Sequence, residues 1–180
     1  MTQFLEREGF TLRPVQPFSF AQTVAYHTRF QAVSGADVYQ YACYSRLLER
    51  DGKLLLLSVR SRSSHNTDLL LAGEVASESL TPQDVEFTRQ QASWILGTDL
   101  DLMPFYRMCQ DDPVLRSIAG TLEGLHPSRT PSVFESLVLA IVGQQIAGKV
   151  AQAIRAGLIQ ALGRSLVELD GQVYYTFPSP

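Results

Sequence analysis

Few side chains in this sequence have a type and spacing suited to chemistry by themselves. Cys43 and Cys109 are the two cysteines. They lie far apart, outside any CxxC pattern and away from any histidine pair, which argues against zinc and against a disulfide scaffold. Both read as free, buried thiols. His65 falls in a polar hairpin tip and reads as ordinary surface. His126 falls in a proline-bounded linker and reads as structural. Tyr39, Tyr41 and Tyr44 could stack bases, although tyrosines alternating along a strand ordinarily pack a sheet. Gln144 and Gln145 follow Gly143 between two apolar helical runs. On residue type alone they cap a helix break, and Lys149 nearby is a solvated lysine. From Pro131 on, the acids are Glu135, Glu168 and Asp170.

The elements that position these residues come from a chain of globular composition. Its 180 residues suit one domain or two small ones. Hydrophobic residues make up 45% and charged residues 18%, enough apolar surface for a core and too much for a wholly disordered chain. Fifteen basic residues face 18 acidic ones, for a net charge of −3. No basic footprint marks a nucleic-acid binder, though a local patch can act on a neutral protein. The N-terminus lacks a basic-then-apolar signal and no apolar run reaches the ~18 residues of a membrane span. These features predict a soluble protein of a reducing cytoplasm.

The first half reads as strands with one early helix. Phe10 to Arg13 is a short extended run, and Phe18 to Phe30 carries a helical signal. Asp37 to Arg50 alternates as one strand, with Tyr39, Tyr41, Cys43 and Leu47 on one face and Gln40, Ala42, Tyr44 and Arg46 on the other. Asp51-Gly52 is a strong hairpin signal because glycine supplies a positive φ. Leu54 to Val59 returns, its run of leucines predicting burial on both faces. A polar tip, Ser61 to Asn66, leads to a third strand around Asp68 to Ala72. Short connections throughout predict an antiparallel meander.

The second half has helical period. Thr81-Pro82-Gln83-Asp84 starts a helix with Val85, Thr88, Ala92, Ile95 and Leu96 inward and Gly97 as its stop. Short helices follow at about Leu102–Gln110 and from Asp112-Pro113 to about Gly120. Gly124 to Pro131 is a linker. Ser132 and Glu135 have the spacing of a capping box. The next helix has Phe134, Leu137, Val138, Ile141 and Val142 at i, i+3, i+4, i+7 and i+8, and is apolar nearly all round. It is therefore predicted to be buried and central. After Gly143, a last helix from about Ala147 to Leu162 turns Val150, Ala151, Ile154, Leu158, Ala161 and Leu162 inward. Val173 to Pro180 is extended.

The stretch Ser132-Val-Phe-Glu-Ser-Leu-Val-Leu-Ala-Ile-Val-Gly-Gln-Gln-Ile-Ala-Gly-Lys-Val-Ala resembles the DNA-3-methyladenine glycosylase II family, in the helix-hairpin-helix DNA glycosylase superfamily. Leu100-Asp-Leu-Met-Pro-Phe-Tyr and Asp112-Pro-Val-Leu before it, and Tyr175-Thr-Phe-Pro-Ser-Pro after it, extend the likeness over nearly the whole chain. The resemblance implies an α+β fold: an N-terminal antiparallel sheet with helices, like half of a TATA-binding protein, over 1–97, then the first part of an all-α glycosylase domain over 98–180. It implies base-excision repair of alkylated bases such as 3-methyladenine, flipped out of damaged double-stranded DNA, with no cofactor or metal. An alkylated purine is cationic, so aromatic faces can select it. By matching the motif, Gln145 is the side chain that fills the gap left by the flipped base. Gln144 lies at the pocket edge, Ile146 beside it, and Lys149 meets a phosphate.

In that family a helix-hairpin-helix with a Leu-Pro-Gly-x-Gly-like turn follows the Phe-Pro-Thr-Pro stretch, and the catalytic aspartate follows the hairpin. Neither occurs among these 180 residues. The expectation is the N-terminal part of a longer glycosylase, inactive by itself, with no catalytic residue in this chain. The alternative is a non-enzymatic module for binding DNA or protein on a glycosylase-like scaffold. An apolar helix without its later neighbours further predicts self-association through residues 133–162.

Overall fold

The computed structural model describes residues 5–29, 36–62, 69–167 and 171–180. Residues 63–66 of the predicted hairpin tip, His65 among them, and the acids Glu168 and Asp170 lie outside the described residues. In chain order the first half contains β1 (Glu6–Leu12), α1 (Phe20–Thr28), β2 (Asp37–Gln40), β3 (Cys43–Arg50), β4 (Lys53–Ser61), β5 (Leu71–Ser77) and α2 (Pro82–Leu96). The strands form an antiparallel sheet in the order β1-β5-β4-β3-β2. The meander is as expected, with β1 added along β5.

Several strand boundaries differ from the sequence reading: β1 begins at Glu6 rather than Phe10, and β4 runs on to Ser61. Asp37 to Arg50 is not one strand. Tyr41 and Ala42 both take positive φ, 50° and 57°, and fold the segment into a second tight hairpin. Nothing in Tyr-Ala advertises a turn that normally selects Gly or Asn. The extra turn resets the alternation, so Tyr39 pairs with Tyr44 and Asp37 with Arg46 across the ladder, on one face. The third strand also lies later than expected, at Leu71–Ser77 rather than around Asp68–Ala72. The Asp51-Gly52 turn forms as predicted, with φ of 50° and 78°.

The inner face of the sheet packs Leu55, Leu57, Val59, Leu71 and Val75 against Val24 of α1 and Ala92, Ile95 and Leu96 of α2. The start of α2 is a full reciprocal cap: Asp84 N–H donates to Thr81 Oγ1, and Thr81 N–H donates to the Asp84 carboxylate. Gly97 ends it in the left-handed region, φ 64°. Part of the outer face is also closed. Leu47, Leu56 and Ala76 pack with Leu166 and Tyr174, which lie on the paired strands β6 (Ser165–Val167) and β7 (Val173–Tyr175). This bears out burial of the leucine run on both faces; the β6 partner strand was not foreseen.

The helical half comprises α3 (Met103–Cys109), α4 (Pro113–Thr121), α5 (Val133–Val142) and α6 (Gly148–Leu162). Its connection to the sheet is ordered by the linker. Gly124 O accepts from Ser19 N–H at 2.7 Å, and a side chain at Gly124 would meet Ser19 N at 2.7 Å, so glycine alone fits. His126 is fully buried, with Nδ1 2.7 Å from Gly97 O and Nε2 3.0 Å from Pro17 O, in keeping with a structural role. Cys43 and Cys109 are buried and unpaired.

The expectation of a buried, central α5 is overturned. Val133, Leu137 and Ile141 are 77%, 57% and 66% exposed, and the one buried residue of the helix is Glu135. The inward stripe expected on α6 fails in part: Ala151 is buried as expected and Leu158 half-buried, but Val150, Ile154, Ala161 and Leu162 are exposed and Ile159 is buried instead. All-round apolarity on α5 still calls for cover. Among the described residues, no further layer supplies it.

Candidate nucleic-acid interface

The turn between α5 and α6 is built by its ends. Gly143 caps α5, its N–H donating to Leu139 O at 3.0 Å. Arg155 Nη2 from α6 donates to the same carbonyl at 3.2 Å, a cation satisfying the C-terminal end of a helix. A Cβ at Gly143 would lie 3.1 Å from Leu139 O and 3.3 Å from Arg155 Nη2, so the packing leaves little room for one. Gln144 N–H then donates to Ile141 O at 3.2 Å.

Gln145 has φ 55°, the left-handed region, at a cost of roughly 1–2 kcal/mol for a residue with a Cβ. Strain of this kind is a pointer to function when it sits at an exposed tip. Gln144, Gln145, Ile146 and Lys149 are all exposed. The structure thus brings the four expected site residues together on one turn and the first turn of α6. Ala147, the residue before α6, has no side-chain acceptor, so the first amides of the helix stay open to an anion, with Lys149 beside them.

The other end of α5 is held by a cluster that the sequence reading missed. Arg46 of β3 is 2% exposed. Its Nη1 donates to both oxygens of Asp37, at 2.8 and 2.9 Å, and its Nη2 to Glu135 Oε2 at 2.6 Å. Tyr44 Oη donates to Asp37 Oδ1 at 2.5 Å, and His27 Nε2 lies 3.2 Å from the same oxygen. The capping box is therefore half made. Ser132 Oγ accepts from Glu135 N–H at 3.1 Å, but the Glu135 carboxylate turns to Arg46 instead of back to Ser132.

Burial by itself would raise the Asp37 carboxyl. Arg46 first and His27 next outweigh it and hold Asp37 well below the usual carboxylate range. For Glu135 burial wins over the Arg46 charge, and its carboxyl is raised. Burial and the Asp37 charge push the Tyr44 hydroxyl up. A cavity of about 180 Å³ adjoins the cluster, lined in part by His27, Glu135, Gln152 and Arg155. The one signal in the sequence was an arginine inside the buried run Cys43–Leu48, legible only once the Tyr41-Ala42 turn sets Arg46 opposite Asp37.

No family model matches the chain. Solved structures place its fold among the DNA glycosylases. It superposes on the 3-methyladenine DNA glycosylase from Archaeoglobus fulgidus with a TM-score of 0.75 at 20% identity, over 94% of this chain and 56% of that one. The Clostridium acetobutylicum 8-oxoguanine glycosylase/lyase, in complex with double-stranded DNA containing cytosine opposite 8-oxoguanine, gives 0.62 at 16% identity over 99% of this chain and 55% of that one. In sequence, the chain is 38% identical over 80 residues to a DNA-3-methyladenine glycosylase of Bacillus subtilis (strain 168), covering 44% of this chain and 26% of the relative. These findings make the chain a partial match to the DNA-3-methyladenine glycosylases. It spans about half the length of the solved structures, and the match covers about a quarter of the Bacillus relative. No described helix is long and apolar enough to cross a membrane.

Proposed function

We propose that this chain is the DNA-engaging N-terminal part of a base-excision glycosylase that hydrolyses the N-glycosidic bond of alkylated bases such as 3-methyladenine, working on DNA in the cytoplasm. In this reading residues 1–97 are the sheet-and-helix domain and 98–180 the first part of the catalytic helical domain. The observation that carries the proposal is the strained, exposed Gln145 at the tip of a turn fixed at both ends, with open amides and Lys149 beside it.

The target atom is unreachable inside a stacked duplex, so the base must leave the stack. Gln145, with Gln144 and Ile146 beside it, fills the vacated space, while Lys149 and the α6 amides hold a neighbouring phosphate. Hydrolysis needs a carboxylate to stabilise the positive charge developing on the sugar. Among the described residues from Pro131 on, the acid present is Glu135, and it is committed to Arg46. The 180-residue chain is therefore expected to release no 3-methyladenine from methylated duplex DNA; release above a protein-free control overturns this assignment.

Gln145→Ala tests the wedge. With a duplex carrying 2-aminopurine at the flipping position, the variant should lose most of the fluorescence gain on binding. Its affinity for single strands should stay within about twofold, because only a stacked duplex has a gap to fill. Equal losses on both substrates would make Gln145 a structural residue. Arg155 and Arg164 are engaged by Leu139 O and Glu49, which leaves Lys149 as the free cation of this face among the described residues. Lys149→Ala should lower the salt slope for duplex by about 0.9.

A further inference from the structure

Among the described residues the outer face of the sheet is only partly covered. Leu166 and Tyr174 close the end that holds Leu47 and Leu56. Towards the other end the described residues leave a groove of about 680 Å³, bordered by Gln172 and Tyr174 and lined by small side chains, Ser45, Ser58 and Ala72. The Ser45 and Ser58 hydroxyls lie 3.2 Å apart across β3 and β4. The walls are charged. Three arginines, Arg7, Arg60 and Arg62, face one glutamate, Glu74, among the described lining residues. Arg7 is paired with Glu74 at 2.5 Å. Arg60 and Arg62 are exposed, and neither guanidinium has a partner among the described residues. They are two apart along β4 and its extension, where Arg62 N–H still donates to Leu70 O at 2.9 Å. Residues two apart share a face, so the two charges repeat about every 6.6 Å, close to the spacing of successive phosphates on one nucleic-acid strand. At the rim stands Tyr41, 92% exposed on the unforeseen turn.

We propose that this groove is a second nucleic-acid contact, distinct from the α5–α6 turn, which takes a single-stranded DNA segment with two consecutive phosphates on Arg60 and Arg62 and an unstacked base on Tyr41. The chain is acidic overall, so a local excess of unpaired cations is what gives this face its charge complementarity to a polyanion. The free tyrosine favours a single strand, since bases in a duplex are already stacked. The inference rests on the proposed role in DNA repair only for its choice of polyanion.

The test measures fluorescence anisotropy of the 180-residue chain on an undamaged labelled oligothymidylate and on a duplex, between 50 and 200 mM salt. The Arg60→Ala/Arg62→Ala variant should bind the single strand about tenfold more weakly, with its salt slope reduced by about 1.4. Tyr41→Ala should weaken binding at least fivefold at unchanged slope, because stacking releases no counterions. Circular dichroism of both variants should match the parent. An unchanged slope in the arginine variant overturns the proposal. So does a neutral Tyr41→Ala with equal affinity for duplex and for inorganic polyphosphate, which would reduce the groove to a general anion surface. Gln145→Ala and Lys149→Ala, run in parallel on duplex, report on the turn: losses there with full single-strand binding in the arginine variant sink the groove and spare the turn, and the reverse spares the groove.

Discussion

Arg46→Met should be the most damaging single substitution in the chain, lowering stability by about 3–5 kcal/mol. In a protein of this length that is a fall in Tm of roughly 6–20 °C. The reason is asymmetric. Arg46 contributes two bonds to Asp37 and one to Glu135, and all three side chains are buried. Removing it takes the guanidinium from two buried carboxylates whose solvation is already lost, and leaves Asp37 its contacts with His27 and Tyr44. Replacing the whole cluster with apolar residues could be close to neutral; removing its centre cannot. The two carboxylates should also differ. Asp37→Asn leaves the guanidinium facing an amide where it had a bidentate partner and should cost more than Glu135→Gln. Glu135 is penalised when charged, so its amide gives up a bond but also the burden of a buried charge. Denaturant melts of the three variants should rank Arg46→Met worst, then Asp37→Asn, then Glu135→Gln. Equal costs for the two acid variants would show that Glu135 anchors α5 as strongly as Asp37 anchors the sheet.

The same cluster sets the acid limb of stability. Asp37 has a folded-state value below its unfolded value, so the stability it contributes is complete above the usual carboxylate range and is lost as pH falls below about 4. Glu135 is shifted the other way, and its contribution weakens as pH rises past the usual carboxylate value. The larger displacement is that of Asp37, so acidification should destabilise the protein below pH ~4. Asp37→Asn should flatten that limb while lowering stability at neutral pH.

Most of the sheet and every described helix were legible because local signals agreed. Asp51-Gly52, the leucine run of β4 and the Thr81–Asp84 cap each place themselves by residue type. The Tyr41-Ala42 turn was illegible for the opposite reason: its residues do not prefer positive φ, and the ladder on either side imposes it. Missing that turn hid the pairing of Asp37 with Arg46 and with it the buried cluster. Glu135 shows the limit of local motifs. Ser132-x-x-Glu is a sound capping signature, yet an arginine 89 positions earlier in the chain offers the carboxylate a stronger, charge-assisted partner. The turn at Gly143 was found through family resemblance rather than physics, since two glutamines after a glycine have no chemistry of their own until a fold presents them. Arg60 and Arg62 were passed over because no global charge excess drew attention to them.

Self-association through the helical half is the second large effect expected. Val133, Leu137 and Ile141 recur every four residues on α5, and Val150 and Ile154 do the same on α6. Residues four apart share a helix face, so each helix shows solvent an apolar stripe rather than scattered side chains. The two helices pack on each other through residues such as Arg155 and Leu139. Val114 and Ile118 repeat the spacing on α4, and Leu122 at its C-cap follows. Covering one such side chain is worth roughly 1.5–3 kcal/mol. Four covered on each of two chains outweigh an association cost of about 8 kcal/mol by enough for a micromolar dimer. A symmetric pair does this at least cost in new surface, because each chain presents the same stripe to the other. Sedimentation should therefore show a mass that rises with concentration in the micromolar range. Leu137→Lys with Ile154→Lys should return the chain to monomer with a change in Tm of less than a few degrees, since neither side chain is buried in the single chain. A monomer at all concentrations, unaffected by those lysines, would mean that these stripes stay in water and that the association energy assigned to them is wrong. Loss of folding in the lysine variant would mean that the stripes are core rather than surface.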